Sequence, residues 1–166
     1  MKVRCTLFSI LILLAFISLH KHVKAESDSV YENRMSLYRK MEALTQIKWY
    51  YFAAIDQYER SVRRSHKDIP KEKGDIAIYF SPEQWAGALN PNQEDTNPVT
   101  ISLFGGIGQD GNGDGIADQS NDEDVLYTIA NHLQKYGTHE DDIKIGLWEY
   151  YRRPLPVQII IGHAKV

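Results

Sequence analysis

The chain has 166 residues, 43% of them hydrophobic and 25% charged, with a formal net charge of −3. That length suits one domain with a buried core. The acidic balance, with no basic stripe, excludes nucleic acid as a partner, and the single cysteine, Cys5, excludes an internal disulfide.

Residues 1–25 read as an export signal. Lys2 and Arg4 precede a short apolar run from Leu7 to Leu19, and Val23-Lys24-Ala25 offers a small-residue cleavage site before Glu26. The run falls short of the roughly 20 residues a membrane span needs, so cleavage and secretion are expected, with an uncleaved N-terminal membrane anchor as the alternative. Cleavage leaves 15 Lys+Arg against 22 Asp+Glu, formally −7, and removes Cys5. Such a domain must rely on its core, on bound metal, or on both.

Residues 26–44 are expected to form a leader and a first helix, since Met35, Leu37, Tyr38, Met41 and Leu44 are helically spaced. From about Ile47 to Arg64, Ile47, Tyr50, Tyr51, Ala54, Ile55 and Tyr58 make the apolar stripe of a second helix. A polar connector follows, then IAIYF at 76–80, either a strand or a buried extended segment. Ser81 followed by Pro82 predicts a helix start, with Trp85 and Leu89 on that helix. Residues 90–98 read as loop. Asn121 or Asp122 can cap a helix to about Tyr136, with Val125, Ile129, Leu133 and Tyr136 inward and Gly137 as its stop. Thr138, with Asp141 three residues on, predicts the next start, with Ile143, Leu147 and Tyr150 inward and a break at Pro154 and Pro156. The fold class is mostly α.

The segment DGNGDGIAD, residues 110–118, places acceptors at Asp110, Asn112, Asp114 and Asp118, positions 1, 3, 5 and 9 of a calcium-type loop. Gly115 stands at the sharp turn of position 6, and Ile116 offers its carbonyl at position 7. Asn121 takes the place of the usual glutamate at position 12, so the loop is EF-hand-like and not an ordinary EF-hand. Calcium is the expected cofactor. A metal-free turn, in which Asp and Asn bond their own backbone, is the alternative.

Four stretches carry a resemblance. GNGDGIADQSNDEDVLYTIANHLQKYG (111–137), TQIKWYYFAAIDQYERS (45–61), IYFSPEQW (78–85) and EYYRRPLPVQIIIGHA (149–164) resemble segments of the soluble lytic transglycosylases. The resemblance implies a lysozyme-like helical domain over residues 45–166 and places that family's acid/base glutamate on Glu59. It also implies that Tyr79, Tyr150 and Tyr151 line a glycan groove. Three site positions depart from the pattern: Tyr79 stands for a glutamine, Tyr151 for an asparagine, and Arg60 for a small serine. On periodicity alone Glu59 is a surface residue paired with Arg63 at i+4, and Asp56 is solvated.

The longer run from KMEALTQIKWYY through GLWEYYRRPLPVQIIIGHAKV is similar to the N-terminal half of secreted Bacillus-type L-alanyl-D-glutamate endopeptidases, in the lysostaphin-type zinc peptidase family. No His-x-x-x-Asp segment of that family's zinc site occurs here, and His20 and His22, the one His-x-His spacing, lie in the signal, so no zinc is expected. The zinc peptidase domain is expected to be encoded separately or lost. Two functions follow from these resemblances. One is a non-catalytic module that binds the glycan strands of cell-wall peptidoglycan. The other is a lytic transglycosylase whose Glu59 protonates the glycosidic oxygen and then takes a proton from the sugar's own 6-hydroxyl.

Overall fold

The computed structural model describes residues 29–66, 68–70 and 72–165. The signal segment, with Cys5, lies outside the described residues. Among those described, no helix is long and apolar enough to cross a membrane. The chain divides into two compact units, residues 1–34 and 35–166; the described part of the first, 29–34, is helical.

Seven helices are described: α1 (residues 29–45), α2 (Trp49–Ser65), α3 (Pro82–Ala86), α4 (Pro98–Leu103), α5 (Asp122–Gln134), α6 (Glu140–Tyr151) and α7 (Pro154–Ala164). No strand occurs among the described residues. The α1 helix stops where Gln46 takes a left-handed φ of 64°. Lys48 gives α2 no side-chain cap; instead Glu42 of α1 reaches over and accepts from the Trp49 backbone N–H at 3.3 Å. Ser81 starts α3 as its sequence predicts, and Gln84 completes a capping box with it.

α2 is the centre of the unit formed by residues 35–166, packed against α7, with α6 against both α5 and α7. Its inward face carries Tyr51, Phe52, Ala54 and Ile55, and also Asp56 and Glu59. Phe52 and Ile55 are fully buried, each contributing about 1.5–3 kcal/mol by leaving water. Val125, Ile129 and Leu133 of α5, with Ile143 and Leu147 of α6, complete the same core.

Several expectations are corrected. The third helix ends at Ala86, so Leu89 lies beyond it and is 85% exposed. Within the expected loop, Asn97 caps α4, accepting from Val99 N at 2.9 Å ahead of Pro98 at N1. The cap of α6 is His139, whose backbone N–H donates to Asp142; Thr138 and Asp141 do not make it. Tyr50 and Tyr136 face outward, because the stripe of α2 turns toward Phe52 and α5 ends before Tyr136. Pro154 and Pro156 do not only end a helix: Pro154 opens α7 and Pro156 is buried within it.

The apolar run at 76–80 takes no regular secondary structure and is buried at four of its five residues. Side chains of α2 and α5 and of the turn at Gln119 stand in for a sheet partner. Asp122 accepts from Asp75 N at 2.8 Å and Ile76 N at 3.1 Å, and Asp56 accepts from Ala77 N. Arg60 donates to Asp75 O at 2.9 Å, Arg63 to Ala77 O at 2.7 Å and Ile78 O at 3.3 Å, and Gln119 to Phe80 O at 3.0 Å.

Candidate functional site

Asp56 and Glu59 stand three residues apart on α2, and both are buried. Asp56 accepts from Tyr38 Oη at 2.8 Å and from Arg60 Nη2 at 2.9 Å, besides holding Ala77 N. The expectation of a solvated Asp56 is therefore corrected: with three hydrogen bonds it is a structural clamp.

Glu59 is 8% exposed and accepts from Tyr151 Oη at 2.6 Å. It is not the surface partner of Arg63, whose guanidinium bonds the carbonyls of Pro70, Ala77 and Ile78 and lies 5.2 Å from the centre of the Tyr79 ring. Burial pushes the Glu59 carboxyl above its ordinary value. The Tyr151 hydrogen bond and the Arg63 charge pull it back in part, and Asp56 adds to the rise. Burial first, and the neighbouring Glu59 charge second, push the hydroxyls of Tyr150 and Tyr151 upward.

The aromatic rings here form a chain. Tyr58 meets Tyr151 edge-on at 5.4 Å, Tyr151 meets Tyr150 at 4.8 Å, and Tyr150 meets both Phe80 and His132. Tyr150 Oη donates to the Tyr79 carbonyl at 3.4 Å. Of the sequence-predicted residues, Glu59, Tyr150 and Tyr151 thus come together, and Tyr79 joins them through its backbone.

The Tyr79 side chain points elsewhere. It lines a cleft of about 470 Å³ between the 70–82 segment, the 93–96 loop and residues 117–122. Phe80 and Trp85 floor this cleft, and Arg63 and Lys73 bring positive charge to it. Neither Glu59, Tyr150 nor Tyr151 lines it.

The acidic loop meets the cleft at Ala117 and Asp118. Asp110 accepts from Gly113 N at 2.7 Å and Gly115 N at 2.8 Å, Asn112 from Asp114 N at 2.9 Å, and Asp114 from Ile116 N at 2.8 Å. Gly113 and Gly115 have φ of 83° and 87°, left-handed values that glycine adopts without steric cost. The donor chemistry fits a hard cation: carboxylate, amide and carbonyl oxygens at alternating positions, each carboxylate retaining acceptor capacity beyond its backbone bonds. Among the described residues, however, no three His, Cys, Asp or Glu side chains converge to metal-holding distance.

Sequence reasoning missed Asp124, which is wholly buried. It accepts from Gly111 N at 2.8 Å, Asn112 N at 3.3 Å and Asp118 N at 2.8 Å, tying both ends of the loop to α5.

The sequence has a counterpart among known proteins. The chain is 53% identical over 143 residues to the L-Ala--D-Glu endopeptidase of Bacillus subtilis (strain 168). The match covers 86% of this chain and 44% of that protein, so the chain spans less than half the length of the curated relative it matches. No family model matches the chain, and no solved structure matches it significantly.

Proposed function

We propose that this chain is a peptidoglycan-associated module, a non-catalytic part that binds and positions a secreted cell-wall endopeptidase on its substrate. The observation that carries this reading is the Tyr151–Glu59 hydrogen bond. It occupies the carboxyl group that the resemblance assigns as the acid, in a spot set apart from the open cleft. The relative's name adds support, since an L-Ala–D-Glu bond is a link of cell-wall peptides. In this reading the polypeptide is exported by residues 1–25, and its partners are glycan strands and a zinc endopeptidase domain.

Calcium has a structural role in the proposal. Asp110, Asn112, Asp114 and Asp118, with the Ile116 carbonyl, would hold it. The ion would offset the mutual repulsion of these acids at the entrance to α5. Those residues do no chemistry on the glycan.

One observation favours a second reading. Burial raises the Glu59 carboxyl, which is what a general acid at neutral pH requires. A lytic transglycosylase would use it to cleave the bond between N-acetylmuramic acid and N-acetylglucosamine. A digest of purified peptidoglycan separates the two, with the full chain beside Glu59→Gln and mass spectrometry for anhydro-sugar products. Retained pull-down on peptidoglycan without products is expected; products that vanish in Glu59→Gln would establish the enzyme instead.

A further inference from the structure

The charges in the cleft beside Tyr79 do not suit a neutral sugar. Phe80 and Trp85 are 1% and 2% exposed, so neither offers a ring face for stacking. Tyr79 does, but Arg63 already covers one of its faces. What the cleft presents to solvent is charge of both signs from separate segments.

Lys73 spends one donor on Ser120 Oγ at 3.1 Å and makes no ion pair among the described residues, leaving two N–H donors for a ligand. Glu94, on the 93–96 loop, is exposed, and its carboxylate has no hydrogen-bond or ion-pair partner among the described residues. Its neighbour Gln93 repeats the same demand. The Gln93 amide nitrogen donates to Gly87 O at 3.0 Å and Asn90 O at 2.7 Å. Two carbonyls facing that nitrogen fix which way the amide is turned. Its Oε1 must then be an acceptor, and it is buried without a partner among the described residues. Buried polar atoms are nearly always satisfied, so an orphan in a cleft wall calls for an explanation.

We infer that this cleft binds a short amphoteric peptide, one carrying both an ammonium group and a carboxylate. The ligand's ammonium goes to the Glu94 carboxylate and its carboxylate to Lys73; the Gln93 acceptor, enclosed in the wall, is reached by a ligand amide N–H only if that wall shifts. The part-exposed Pro82 and Tyr79 in its wall take its small side chains. A volume of about 470 Å³ lies within the roughly 300–1,000 Å³ of small-ligand sites. The inference rests on the peptidoglycan reading above for the source of such a peptide, and it assigns the peptide stem, not the glycan, to this cleft.

The test is titration calorimetry on the full chain with the tripeptide L-Ala–γ-D-Glu–L-Lys. The comparison ligands are the same tripeptide with its amines acetylated and its carboxyls amidated, and tetra-N-acetylchitotetraose. Saturable binding of the charged tripeptide is expected, weakened at least fivefold by Glu94→Gln and by Lys73→Met. Both side chains are exposed, and unchanged circular dichroism would confirm that these variants fold. Equal binding of the blocked peptide, displacement by the tetrasaccharide, or no tripeptide binding would overturn the inference. Pull-down on whole peptidoglycan is run beside it: retained pull-down without tripeptide binding leaves the module reading standing, and the reverse result removes the glycan from it.

Discussion

Tyr151 and Glu59 lie 92 positions apart and meet at 2.6 Å, hydroxyl to carboxylate, joining the end of α6 to the inner face of α2. The Tyr58 ring packs edge-on against Tyr151 and screens the bond. A hydrogen bond to a charged group contributes about 1.5–3 kcal/mol. Tyr151→Phe keeps the ring and deletes the donor, so a loss of stability of that size is expected in urea unfolding at pH 7. A change under about 0.5 kcal/mol, the usual range of surface substitutions, would mean that the carboxyl finds another donor.

The pH dependence of stability has a definite sign. Because burial raises the Glu59 carboxyl above its ordinary value of 4.5, the folded chain holds a proton that the unfolded chain has released. Stability from this group is complete below 4.5 and lost as pH rises through the folded value. Burial shifts Asp122 and Asp124 in the same direction, so the difference between native chain and Glu59→Gln isolates the effect. The variant's urea midpoint is expected to fall less than the native one from pH 4.5 to neutrality; parallel curves would refute the assignment.

Removing Asp56 strands its partners. Arg60 is nearly as enclosed as Asp56, with side chains 12% and 4% exposed, and breaking one side of a buried pair typically costs about 3–5 kcal/mol. Asp56→Ala is expected in that range. Arg60→Met should cost less, since Tyr38 Oη and Ala77 N still bond the carboxylate. Chemical denaturation of the two variants ranks them, and the reverse order would contradict the clamp.

For the acidic loop two expectations can be separated. Asp124→Ala leaves three backbone N–H groups without their acceptor, and its melting temperature should fall with or without metal. Calcium, if bound as proposed, raises the native melting temperature over that in chelator. An ion at 100 times its Kd adds about 2.7 kcal/mol. Asp114→Asn should reduce that gain while leaving the melting point in chelator nearly unchanged. An identical native melt in calcium and chelator would remove the metal from the account.

Glycines at positive φ are not equivalent here. Gly87 has φ of 100°, and an added Cβ would strike the Phe104 carbonyl; Gly113 has φ of 83° with nothing within 4 Å of that position. Gly113→Ala should cost roughly 1–2 kcal/mol, the left-handed penalty alone. Gly87→Ala should cost more and lower soluble yield, since backbone must move to accommodate it.

The helices were legible from spacing and caps: the Ser81-Pro82 start, the Asn121 cap and the Val125-Ile129-Leu133 stripe all follow local rules that the fold respects. Asp56, Glu59 and Asp124 were not, because polar residues on a helix read as solvent-facing until something distant bonds them. Their partners, Ala77, Tyr151 and Gly111, are 21, 92 and 13 positions away, beyond any helical repeat. The short α4 was hidden because Asn97-Pro98 opens a helix and ends a loop with equal ease. Of the site, the tyrosines were legible only through resemblance, and the mixed charge of the cleft only once three separate segments were brought together.

The stretch at 76–80 is a β-type sequence folded without a sheet, its backbone answered by carboxylates and guanidinia. Its amide protons are therefore guarded by groups that acid can titrate. When Asp122, whose carboxyl burial already raises, takes up a proton, Asp75 and Ile76 lose their charged acceptor together, and an uncharged, apolar, proline-free segment comes free. Such segments pair with their own copies. Acid should thus lead this protein toward association between chains, so that its denaturation below the carboxylate range is hard to reverse while denaturation by urea at neutral pH is not.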